Sequence, residues 1–259
     1  MPTLKDGSLT EDPRLDRLVE FDERSRNFSV RAAGVVARPR SYTWRINSSY
    51  DQGREGSCVG FAVTHEIVAR PAEVTFPSDR EATNFAKRDV YWEAQKIDPW
   101  PGGSYPGAEP HYEGTSVLAG LKVAKRLGYF SEYRWAFTLQ DLLYGLGHNG
   151  PAVLGINWYY DMYFPDEKGF IKKGGAHVGG HAILARAIKV RWQESALSKP
   201  WRSRTHNDLD QNKSVVTLRN SWGTDWGRGG DCYMTVRDLE EIRAEQGEAA
   251  FARMRTTQV

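Results

Sequence analysis

A cysteine opening an apolar helix, a glutamine six residues before it, a histidine opening an apolar strand and an asparagine closing another could together do chemistry. The first two lie in Asp51-Gln52-Gly53-Arg54-Glu55-Gly56-Ser57-Cys58-Val59-Gly60-Phe61-Ala62. A thiolate on the first turn of a buried helix is stabilised by free backbone N–H groups and by the positive end of the helix dipole. Gln52, beyond a glycine-bearing turn, can aim its amide at the same spot as the Cys58 N–H, and two converging donors would hold a developing oxyanion. A nucleophilic cysteine needs a base and the base an orienting acceptor. His181 in Gly-Gly-His-Ala-Ile-Leu-Ala and Asn220 in Leu-Arg-Asn-Ser-Trp-Gly are the candidates.

The elements that must position them follow from periodicity. Residues 57–69 read as a helix apolar nearly all round, with Val59, Phe61, Ala62, Val63, Ile67 and Val68, stopped before Pro71 and therefore buried. Ala86, Val90, Ala94 and Ile97 recur at helical spacing, which predicts a second helix over 82–96. A Pro/Gly/aromatic loop follows. A third helix, capped by Thr115 or Ser116 and carrying Val117, Leu121 and Ala124, ends at Gly128. From residue 150 the pattern turns to strands, over 152–158, 181–188, 214–220 and 232–236. His181, Ile183, Ala185 and Ala187 would share one face of the second, and Val216, Leu218 and Asn220 one face of the third. Residues 191–213 form a polar inserted loop, and the C-terminus reads as a short helix, Leu239 and Ile242 inward, then a closing segment.

Residues 1–40 hold fifteen charged side chains and one apolar cluster, Leu15, Leu18, Val19 and Phe21, expected to dock as one or two helical turns. We read residues 1–42 as an N-terminal arm and 43–259 as one domain of two lobes, a mainly helical one over 43–130 and a mainly β one over 131–259. In a chain of 259 residues, 35 Lys+Arg against 33 Asp+Glu leave a net charge of +2 with both signs interspersed. That pattern excludes nucleic acid or a membrane surface as the main partner. No apolar run approaches the ~20 residues of a membrane span. No secretory leader is evident, and two cysteines, Cys58 and Cys232, allow at most one disulfide. A reducing, cytoplasmic setting is the expectation.

With these pieces in order, the sequence resembles the papain-like cysteine peptidases. The resemblance rests on Gln52-Gly53 with Gly56-Ser57-Cys58 and Phe61-Ala62, on His181-Ala182, on Asn220-Ser221-Trp222-Gly223, and on Trp226-Gly227 with Gly229-Gly230, preceded by Trp44-Arg45. It implies an α+β, papain-like two-lobed fold, a helical lobe facing a strand-rich, barrel-like lobe across the active cleft. It also implies thiol-dependent hydrolysis of a peptide or protein substrate, without metal or organic cofactor. Cys58 would be the nucleophile, His181 the general base and then acid, Asn220 its orienter and Gln52 the oxyanion residue. Trp222 would cover the His–Asn pair. Gly56, Ser57, Gly114, Ala182 and Trp222 would meet the substrate, with Glu113-Gly114-Thr115-Ser116 standing in for the family's Gly-Gly wall.

Four positions depart from that pattern. Val59 replaces a bulky aromatic and could alter the cleft wall. Gly180 replaces Asp or Asn before the histidine. Glu55 stands where a disulfide cysteine is common, and about forty residues precede Trp44 where a long inhibitory propeptide is usual. The short arm either braces the β lobe or lies in the cleft. A catalytically inactive binding module on the same fold, or an acyltransferase or isopeptidase with the same residues, are the alternatives. His177 and His181 lie four apart in glycine-rich, extended sequence with no third ligand at metal spacing, and Cys232 reads as core.

Overall fold

The computed structural model describes residues 1–30 and 38–255; residues 31–37, inside the expected arm, and 256–259 lie outside the described residues. In chain order, β1 (Arg17–Leu18) and β2 (Tyr42–Thr43) precede α1 (Cys58–Val68). Next come α2 (Asp79–Asn84) and α3 (Glu93–Gln95), joined by a π-helical stretch, Phe85–Trp92. β3 (Thr115–Ser116), α4 (Val117–Arg126), β4 (Phe130–Trp135) and α5 (Leu139–His148) complete the first half. The second half holds β5 (Ala152–Tyr159), β6 (His177–Lys189), α6 (Glu194–Leu197), β7 (Val215–Arg219), β8 (Asp231–Thr235), α7 (Val236–Arg243) and β9 (Glu248–Arg255).

Period-two alternation makes one sheet the partition between two cores. Ala182 and Leu184 of β6, Val153 of β5, and Ala250 and Ala252 of β9 pack with α1 and α4. Their neighbours Ile183, Ala185, Leu154, Ile156, Ala249 and Phe251 face the other way, onto Leu142, Leu146, Leu218 and Met234. The seven-stranded sheet runs β4-β9-β5-β6-β7-β8, with β2 added on β6, and is open rather than closed into a barrel. A bulge between Ala185 and Ala187 shifts the register of β6, so Ile188 rather than Ala187 continues the face of Ile183 and Ala185. All eleven residues of α1 are buried, as its all-round apolarity predicts. Ser116, not Thr115, caps α4, its Oγ accepting from the Ala119 N–H at 3.0 Å. Among the described residues no helix is long and apolar enough to cross a membrane.

The N-terminal segment is extended where a helical turn was expected. Arg17 and Leu18 pair in parallel with Thr115 and Ser116 on one side, and Asp16 bridges Gly180 on the other. Between two strand-like walls an extended chain satisfies its backbone groups on both sides, which a helical turn would not. Leu15 and Leu18 are buried, whereas Val19 and Phe21 stay exposed.

Candidate active site

α1 begins at Cys58 with its thiol fully buried, and β6 brings His181 and Ala182 onto it: the Ala182 N–H donates to Cys58 Sγ at 3.2 Å. One strand over, β7 ends at Arg219, and Asn220 Oδ1 meets His181 Nε2 at 2.8 Å. That oxygen also accepts the Ser221 N–H at 2.8 Å. An amide oxygen only accepts, so Nε2 carries the proton and Nδ1 is left for chemistry. Trp158 stands edge-on to the imidazole at 4.9 Å between centroids, and Trp222, at 5.1 Å, shields it from water.

Gln52 is buried and locked. Its Oε1 accepts from Ser221 Oγ at 2.7 Å, which turns its Nε2 toward the Glu55 carbonyl at 3.0 Å and the Arg14 carbonyl at 3.4 Å. Ser221 thus sets both the Gln52 amide and the Asn220 oxygen. It lies inside the Asn-Ser-Trp-Gly run, yet sequence reasoning gave it no task.

The largest omission of the sequence reading is the segment over the site. Asp16 lies directly on the thiol, Cys58 Sγ donating to its Oδ1 at 3.0 Å. Arg14 stacks its guanidinium over Trp222 at 4.4 Å, and Asp12 accepts from Tyr163 Oη at 2.8 Å. Gln52, Cys58, His181 and Asn220 are completely covered. Burial dominates their ionisation. It pushes the Cys58 thiol well up, reinforced by the Asp16 charge. It pulls the His181 imidazole down to about 4, against the Asn220 hydrogen bond. Burial also raises Asp16 to about 7, opposed by its hydrogen bond from Cys58 and aided by Glu113. With the segment in place the pair is a neutral thiol beside a neutral imidazole.

The departures noted in the sequence now have physical causes. Val59 does not line the cleft: a Cβ on Gly120 of α4 would fall 2.7 Å from its Cγ1, so it is a helix–helix contact. Glu55 pairs with Lys87 Nζ at 2.8 Å, tying the Cys58 loop to the π-helical stretch. Gly180 permits close approach, since a Cβ there would lie 2.2 Å from the Arg17 carbonyl oxygen. Gly114, at φ +98°, does the same opposite, its Cβ position lying 2.7 Å from the Asp16 oxygen. Gly56 and Ser57 lie under the segment as well, the Gly56 Cβ position falling 2.9 Å from the Pro13 oxygen.

Compared with models of known protein families and with curated protein sequences, the chain matches none. Solved structures do match. Xylellain, a cysteine protease from Xylella fastidiosa, aligns over 96% of this chain and 99% of its own, with a TM-score of 0.64 at 17% identity. The digestive procathepsin L2 proteinase of the Tenebrio molitor larval midgut aligns over 95% and 81%, with a TM-score of 0.54 at 15% identity. Procathepsin L 3 of the same tissue aligns over 94% and 75%, at 0.52 and 13%. The chain has the fold of the papain-like cysteine proteases.

Proposed function

We propose that this chain is a thiol peptidase of the papain-like kind, kept shut by its own N-terminal segment. The observation that carries the reading is the convergence of a helix-start thiol, the Ala182 N–H at 3.2 Å from its sulfur, and an imidazole held by Asn220 at 2.8 Å. In the open enzyme the Cys58 thiolate attacks a peptide carbonyl and the C–S bond forms. Gln52 Nε2 and the Cys58 N–H receive the oxyanion. The C–N bond then breaks as the His181 imidazolium protonates the leaving amine. Water, deprotonated by His181, hydrolyses the thioester and restores the thiol. Peptides or proteins are the substrates.

The covering segment is not positioned as a substrate. It offers the sulfur a carboxyl side chain, and its Arg14 carbonyl occupies the Gln52 amide. Its direction is also reversed. The leaving amine belongs on the His181–Trp222 side, so a substrate runs from the Thr115 side towards Trp222. The segment runs from Arg14 on Trp222 to Arg17 on Thr115.

The test is intact mass after incubation with a thiol-directed epoxide, on the full chain, Arg17→Ala, Cys58→Ala and His181→Ala. One adduct is expected, slow in wild type, faster in Arg17→Ala, slower still in His181→Ala and absent in Cys58→Ala. No adduct in folded Arg17→Ala would make the chain an inert module.

A further inference from the structure

Beside the thiol, the covering segment places one side chain in a pocket of definite chemistry. Arg17, next to Asp16, turns down between Gly180 and Gly155, where its side chain is 1% exposed. Its Nε donates to Glu248 Oε1 at 3.1 Å and its Nη2 to the Gln246 carbonyl at 2.8 Å. Glu248 opens β9 and lies directly across from Gly155 of β5. A Cβ at 155 would sit 2.5 Å from Arg17 Nε and 2.6 Å from Glu248 Oε1, so only glycine leaves room for the pair. The Gln246 carbonyl reaches the pocket from a residue at φ +62°, a left-handed conformation that glutamine seldom adopts. The pocket adjoins a groove of about 850 Å³ lined by Asn157, Val178, Gly179, Gly180 and Gln246.

Resting on the peptidase reading, we infer that Glu248 is a specificity-determining residue and that the enzyme selects substrates with an arginine side chain in this pocket. A buried carboxylate is costly unless a cation faces it. Among the described residues Arg17 supplies the one ion pair Glu248 makes. Burial raises the Glu248 carboxyl and Arg17 pulls it back. Once the segment leaves to admit a substrate, that cation leaves with it, and an incoming guanidinium restores what was lost. A leucine would instead strand the charge. Two acceptors, a carboxylate and a carbonyl, suit the planar fork of arginine better than the point charge of lysine. Arg17 neighbours the residue over Cys58 on the Thr115 side, the acyl side of a substrate. The selected residue is therefore the second one before the cleaved bond, and Arg17 is its competitor within the chain.

The experiment uses two fluorogenic dipeptide amides with the same residue joined to the fluorophore, differing only in the preceding residue, arginine or leucine. Full-length Arg17→Ala and Arg17→Ala/Glu248→Leu are compared, each titrated with the epoxide. Both substrates meet the same N-terminal segment, so the ratio of their kcat/KM values cancels any change in its docking. With Glu248 present the arginine substrate should lead by at least about tenfold, and Glu248→Leu should lower that ratio by about 100-fold while sparing the leucine substrate. A leucine preference with Glu248 present, or a ratio unmoved by Glu248→Leu, overturns the specificity. Turnover of neither substrate with the epoxide still titrating Cys58 also overturns it and leaves the thiol site standing. Loss of both turnover and adduct in folded protein sinks the peptidase reading itself.

Discussion

The N-terminal segment and the lobes it covers are both buried, but they are held by different forces. The lobes rest on apolar packing: α1 has no exposed residue, and Val59 nests against Gly120. The segment relies on polar contacts made one at a time. Lys5 Nζ donates to the Gln95 carbonyl at 2.5 Å and to Asp98 at 2.6 Å, and Arg17 and Asp12 reach Glu248 and Tyr163. Its larger buried apolar side chains are Leu4, Leu15 and Leu18, with Val30 at its far end. Removing a core leucine costs about 2–5 kcal/mol because nothing refills the space. A polar contact can be exchanged for water or for a substrate group at far smaller net cost. One chain thus carries a rigid scaffold and a separable cover, and the cover lies on the chemistry.

The largest effects should fall on the scaffold side. Cys58→Ala should abolish adduct formation and lower kcat by at least about 10⁴-fold with the fold intact by circular dichroism. Gln52→Ala and Asn220→Ala should each cost about 10²–10³-fold in kcat, one through the oxyanion and the other through the imidazole tautomer. If Asn220→Ala raises KM and spares kcat, the tautomer argument fails. Next in size is the cover. Lys5 and Asp98 are fully buried, and Lys5→Met removes one partner of the pair. Epoxide labelling should accelerate about tenfold while the melting temperature moves by less than about 3 °C, because the released segment lets water reach Asp98. A large fall in melting temperature would break the comparison, making the segment part of the scaffold.

The scaffold was legible in the sequence for the same reason that it is rigid. Cys58, His181 and Asn220 sit at ends of elements with clear periodicity, and local order sufficed to bring them into relation. α5 escaped because Gly145 and Gly147 interrupt its helical pattern. The structure gives their reasons: a Cβ at 145 would sit 2.2 Å from the Phe251 ring, and one at 147 would press on Arg40. Asp16 and Arg17 were illegible as site residues. Their meaning lies in contacts with Cys58 and Glu248, 42 and 231 positions away, that no local spacing encodes. Arm and cleft were both foreseen, whereas their contact needed the fold.

The finest test of the comparison is the pH dependence of docking, and Asp16 sets its sign. Its carboxyl is raised from 3.8 to about 7 in the docked state, so its contribution to docking is full below about 3.8 and is lost as pH rises through about 7. His181, lowered from 6.5 to about 4, acts oppositely, its contribution full above about 6.5 and lost as pH falls through about 4. Asp98, Glu113 and Glu248, also raised by burial, act with Asp16. Cys58→Ala removes the thiol's own titration, and Asp16→Asn on that background removes only the Asp16 share. Docking can be followed by the anisotropy of a dye on Leu9→Cys, an exposed site, since Cys232 is buried. The ratio of the two docking constants, with Asp16 over without it, should be largest near pH 4. It should fall by up to about tenfold per pH unit towards 7. A ratio independent of pH would mean that Asp16 is ionised while docked, with the covering segment held on the thiol by charge rather than by a shared proton.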